Sequence, residues 1–187
     1  MCHYITATLP QNVKPELIAP IFESHKFGFK LVSNPHVAAQ TTPADLYVLT
    51  TRGNCDCGTV LGSSSRDDRA EGVSYEKELK KFRQQGWSET KIQRWIEQKE
   101  QVKDRHRRED EAGGKASEPL AAPWIRLITE LLTFGYTRRV GLLLHWYSRG
   151  IESERIKIVN KERVRLAELT AEVLVSMKED VLYEFMV

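Results

Sequence analysis

Cys2-His3-Tyr4-Ile5-Thr6-Ala7-Thr8-Leu9 follows Met1, and its reading decides how the rest of the chain is read. β-Branched and aromatic residues crowd this run and Pro10 closes it, which is the signature of a strand. Pleating sets Cys2, Tyr4, Thr6 and Thr8 on one face and His3, Ile5, Ala7 and Leu9 on the other. A strand needs partners, and the sequence offers residues 29–32, 46–51 and 140–147. Residues 155–159 and 162–166 read as a hairpin turning at Asn160-Lys161.

Helical spacing appears between these runs. Leu17, Ile18, Ile21 and Phe22 share one face, with Pro15 in the first turn, Pro20 inside and Gly28 as the stop. Asn34-Pro35 and Thr41-Thr42-Pro43 have loop chemistry. Residues 124–134 read as a helix ending at Gly135. Thr170 caps a final helix whose buried face carries Leu174, Met177, Val181 and Phe185. Strands and helices do not alternate strictly, so the expected class is α+β: a mixed, mostly antiparallel sheet with packed helices.

The middle of the chain changes character. Residues 52–72 hold four glycines and the run Ser63-Ser64-Ser65, a long polar loop. Residues 73–111 then read as a charged helical hairpin. Tyr75, Leu79 and Phe82 line its first helix, and Ile92, Trp95, Ile96 and Val102 its second, which Ser88 caps. Residues 112–118 read as a flexible linker. The expectation is a single domain with a core of residues 1–62 and 119–187 and the hairpin inserted between the halves.

Composition excludes more than it selects. The chain has 187 residues, 41% hydrophobic and 29% charged, which rules out wholesale disorder, collagen-like sequence and a membrane protein. Lys+Arg of 28 against Asp+Glu of 26 leaves +2, no footprint of a polyanionic partner. Three cysteines make no disulfide framework and suit a reducing compartment. No secretory leader is read at the start. The most apolar stretch, Leu142-Leu143-Leu144, is interrupted by His145 and Arg149. The expected location is cytoplasmic, with no membrane partner.

Cys2, Cys55 and Cys57 form the sharpest constellation. If strands 2–9 and 46–51 are antiparallel neighbours, the start of one lies beside the end of the other, and all three sulfurs fall at one sheet edge. Zinc takes thiolate ligands, four in a closed structural site, so a histidine would complete the set. His3, His36 and His145 are the candidates. His3 is awkward because pleating points it away from Cys2, and His36 is taken as the fourth ligand. The same cysteines with His145 would serve a cysteine-dependent enzyme, with Arg52 near enough to steady a thiolate. With Met1 removed, Cys2 resembles, in that one residue, the N-terminal cysteine of N-terminal-nucleophile amidohydrolases and glutamine amidotransferases.

Other motifs point away from enzymes. The loop from Gly58 to Ser65 lacks the lysine of a phosphate loop, and Asp67-Asp68 follow it. No spaced carboxylate pair, H-E-x-x-H, G-x-S-x-G or G-x-G-x-x-G occurs. Lys103, Arg105, His106, Arg107 and Arg108 are interrupted by Asp104 and followed by Glu109-Asp110-Glu111, a solvated face and not a nucleic-acid site. Trp87, Arg94, Trp95, Arg105 and Arg108 are residue types favoured as interface anchors. The leading expectation is therefore a non-enzymatic protein that binds another protein through the hairpin and needs no cofactor. A bacterial toxin-neutralising (immunity-type) protein is one concrete form of it. The competing expectation is a cysteine-dependent enzyme or zinc protein centred on Cys2, Cys55 and Cys57.

Overall fold

A computed structural model describes residues 2–42, 44–53, 55–57, 59–62, 79, 83, 87–94, 96, 97, 117–148 and 150–187. The chain divides into two compact units, residues 1–65 with 118–187, and residues 66–117.

The first unit is an α+β fold. In chain order it runs β1 (Cys2–Leu9), α1 (Pro15–Ser24), β2 (Lys30–Val32), α2 (Pro35–Ala38) and β3 (Leu46–Leu49). It continues through α3 (Ser117–Thr133), β4 (Arg139–Tyr147), β5 (Asn160–Arg165), a 3-10 turn (Leu166–Glu168), α4 (Ala171–Val175) and β6 (Val181–Met186). The sheet order is β2-β3-β1-β4-β6-β5. Every pairing is antiparallel except β5 with β6, which is parallel.

The sheet is covered on both faces, which explains why its central strands carry buried residues on both sides. Ile5, Ala7 and Leu9 of β1 and Leu142 and Leu144 of β4 join Ile18 and Phe22 of α1 and Leu127, Ile128 and Leu131 of α3 in the larger core. On the other face Tyr47, Leu143, Tyr147 and Leu182 pack with Val37 of α2 and Ile156. Thr6 and Thr8, on that second face of β1, are fully buried as well.

Several local expectations are corrected. Gly28 does not end α1: the helix stops at Ser24, and Lys26 takes the left-handed conformation, φ 67°. Gly28 instead lets the chain pass close to β3, since a Cβ there would lie 2.5 Å from the Thr51 carbonyl oxygen. Asn34-Pro35 is not only loop. The Asn34 side chain accepts from the His36 and Val37 N–H groups and starts α2, while its amide donates to the carbonyls of Ile151 and Glu154. Helix α3 begins at Ser117, inside the expected linker, and Gly135 (φ 72°) follows its end as read.

The hairpin at Asn160-Lys161 does not form. Those two residues begin β5, which runs parallel to β6 with Asn160 beside Val181. Residues 155–159 are not a strand, because their backbone is held elsewhere. Ile158 N–H donates to the Gln40 side chain, which donates back to the Ile156 carbonyl, and Val159 N–H donates to the Asp180 carbonyl. The final helix is also shorter than expected. Thr170 does cap it, accepting from Val173 N–H, but it ends at Val175. Asp180 adopts φ 60° and the chain re-enters the sheet as β6.

In the second unit, residues 89–94, 96 and 97 are helical, and Ser88 Oγ accepts from Lys91 N–H at 3.3 Å as a cap should. Arg83 pairs with Glu89 at 2.8 Å. Apart from these and residues 79 and 87, the expected hairpin and residues 112–116 lie outside the described residues. No helix among the described residues is long and apolar enough to cross a membrane.

Candidate metal centre at the β1–β3 edge

β3 is shorter than β1, and the pairing with Leu49 opposite Thr6 leaves the Cys2 end of β1 beyond the last strand residue. Buried N–H and C=O groups there, such as those of His3 and Ile5, must find partners. The chain after β3 supplies them. Thr50 N–H and hydroxyl both donate to the Ile5 carbonyl, at 3.2 and 2.7 Å. Asp56 N–H donates to the His3 carbonyl at 2.8 Å, and Ile5 N–H donates to Asp56 Oδ2 at 2.8 Å. The Thr51 hydroxyl donates to the same carboxylate oxygen. His3 N–H donates to Cys57 Sγ at 3.3 Å. Residues 55–57 thus act as a surrogate strand, and Asp56, itself buried, is its anchor.

This anchoring gathers the sulfurs. Cys2, Cys55 and Cys57 Sγ all lie within 4.8 Å of one another, with Cys2 and Cys55 half-buried and Cys57 exposed. Hydrogen bonds from the Cys57 backbone N–H and thiol hold the Cys55 thiol below the ordinary range. Cys2 is pushed the opposite way, chiefly because its hydrogen bond with Cys55 favours its protonated form. Burial, followed by the neighbouring cysteines, raises the Tyr4 phenol. The Cys55 thiol thus accepts hydrogen bonds from both neighbouring cysteines.

The three candidate histidines are engaged elsewhere or exposed. Among the described residues, no histidine or carboxylate joins the three sulfurs as a ligand. His36 is exposed in the first turn of α2. His3 Nε2 pairs with Glu179 Oε1, and its ring meets Trp146 edge-on, centroids 4.4 Å apart. His145 is on the Cys2 face of the sheet, directly opposite Tyr4. Its Nδ1 lies 2.5 Å from Asp180 Oδ1, and its ring stands edge-on to Tyr147 at 4.7 Å. Its Nε2 is buried with no hydrogen-bond partner among the described residues. Beyond it the hydroxyls of Tyr147 and Tyr47 meet at 2.9 Å, and desolvation drives the Tyr147 phenol far above its usual range.

No family model matches the chain, and neither a curated protein nor a solved structure does. The site is therefore read from its own groups. Of the expected interface residues, Trp87 is half-buried with Lys91 Nζ 3.9 Å from its ring centroid, and Arg94 is exposed. Trp95, Arg105 and Arg108 lie outside the described residues, as does the basic cluster from Lys103. Asp56, Glu179 and Asp180 were not legible as site residues. An aspartate between two cysteines is the one signal that bore on Asp56, since its side chain is suited to hold nearby backbone N–H groups.

Asp56 provides a direct check on this construction. Asp56→Ala removes the acceptor for a buried N–H and a hydroxyl, so it should cost about 1–3 kcal/mol of stability in urea unfolding. Asp56→Asn retains a carbonyl oxygen for Ile5 N–H and should keep most of that stability. Equal stability of the alanine variant and the parent would contradict the anchoring role.

Proposed function

We propose that the protein is a zinc-binding protein whose metal is held by Cys2, Cys55 and Cys57. The observation that carries the reading is the mutual approach of the three sulfurs within 4.8 Å from two separate parts of the chain. A three-thiolate set suits a soft or borderline ion far better than magnesium or calcium, which prefer oxygen. N–H groups aimed at sulfur support it as well. Such outer contacts orient thiolates and spread their charge, as the partners of metal ligands do. Three protein ligands would leave a fourth zinc position for water. His36, the ligand expected from sequence, has no part in this reading.

Native mass spectrometry of tag-free protein titrated with zinc tests it. One equivalent should bind and survive a moderate competing chelator. A mass that stays that of the metal-free chain would remove the proposal.

A second reading concerns residues 66–117, which form a compact unit of their own. In it the insertion binds another protein without catalysis, in the manner of an immunity-type protein, and Trp87 is an anchor. Truncating an interface anchor commonly costs 2 kcal/mol or more, roughly thirtyfold in affinity. The full chain carrying Trp87→Ala should therefore retain far less partner from native-cell extract than the parent. Undiminished capture would overturn this reading.

A further inference from the structure

We propose that the three-thiol corner is a peroxide-responsive switch, releasing its metal when two of the three sulfurs pair as a disulfide. The metal half of this proposal rests on the zinc reading above, and the oxidation half rests on the sulfur geometry alone. Three thiols within 4.8 Å of one another are an odd set: one disulfide consumes two and leaves a single sulfur. One thiolate does not hold an ion that three held. The exposed sulfur, Cys57, is the one a dissolved hydroperoxide meets most readily, since Cys2 and Cys55 are half-buried.

The chemistry needs no group beyond these and the oxidant. The Cys57 thiolate attacks one oxygen of hydrogen peroxide. The O–O bond breaks, sulfur is oxidised to sulfenic acid, and the departing hydroxide takes a proton from solvent to become water. A neighbouring cysteine thiolate then attacks the sulfenic sulfur. An S–S bond forms, the S–O bond breaks, and the hydroxyl leaves as a second water after gaining the proton that this thiol released. Overall, two thiols and one peroxide give one disulfide and two waters. Proximity makes the second step the favoured one, because the resolving sulfur is already at hand. An isolated exposed cysteine would instead proceed to sulfinic acid, which thiols do not reverse.

The test treats zinc-loaded and zinc-free protein with one equivalent of hydrogen peroxide. It follows intact mass, free thiols and zinc released to a chromophoric indicator. The expected result is loss of about two mass units and two thiols, release of the zinc in step with them, and recovery of both by a dithiol reductant. Cys57→Ser should slow the reaction about tenfold or more, since it removes the accessible thiolate. Mass gains of one to three oxygens without a disulfide, or a Cys57→Ser rate equal to the parent's, would overturn the switch. If no zinc binds while the zinc-free protein still forms the disulfide, the zinc reading and metal release fail and only the oxidation step stands. If zinc binds and oxidation stops at oxygen adducts, the switch fails and the zinc reading stands.

Discussion

Replacing Cys55 with serine is expected to lower zinc affinity by a factor of about a hundred to ten thousand. Structural zinc in small sites is worth roughly 10–16 kcal/mol at neutral pH. Shared among three protein ligands, one thiolate accounts for about 3–5 kcal/mol, and each 1.4 kcal/mol is tenfold. Serine is close in shape but does not ionise at neutral pH, so the variant isolates the thiolate. Cys55 is chosen because its half-buried sulfur lies within 4.8 Å of both of the others. Competition against a chelator of known affinity measures the change. A variant that binds as tightly as the parent would mean that zinc sits elsewhere.

The second large effect lies away from the sulfurs. Arg139, at the start of β4, reaches Asp45 Oδ2 at 2.6 Å and pairs with Glu184 Oε1 of β6. The carboxylate side chains are only 3% and 8% exposed, so they depend on this guanidinium. Among the described residues, Arg139→Ala leaves these two buried carboxylates with the exposed Arg163, 3.8 Å from Glu184, in support. Breaking a buried ion pair from one side costs about 3–5 kcal/mol. That is about a fifth or more of the stability of an ordinary domain. Arg139→Lys keeps the charge and loses the fork, and should fall between the two. Urea unfolding measures all three, and an alanine variant within about 0.5 kcal/mol of the parent would refute the coupling.

The contrast between these two sites shows what the sequence made legible. Cys2 could be placed because a strand has period two and an antiparallel neighbour reverses direction, so both facts follow from residues 2–9 and 46–51. The Arg139 network could not, because it depends on β6, and residues 181–186 were read as helix. Leu174, Met177, Val181 and Phe185 do fit a helical face. Val181, Tyr183 and Phe185 fit a strand equally well, and only the left-handed turn at Asp180 decides between them. Asparagine and aspartate visit that conformation without a glycine to announce it. The same misreading hid Glu179 and Asp180 as partners of His3 and His145. The expected hairpin failed for a related reason: a parallel strand carries no local turn signal, and its partner arrives only after α4.

The central claim is that three sulfurs bind one ion. X-ray absorption at the zinc edge counts them directly in the zinc-loaded full chain. The account predicts three sulfur neighbours at about 2.3 Å and one lighter atom nearer about 2.0 Å. A shell of nitrogen and oxygen alone would contradict it.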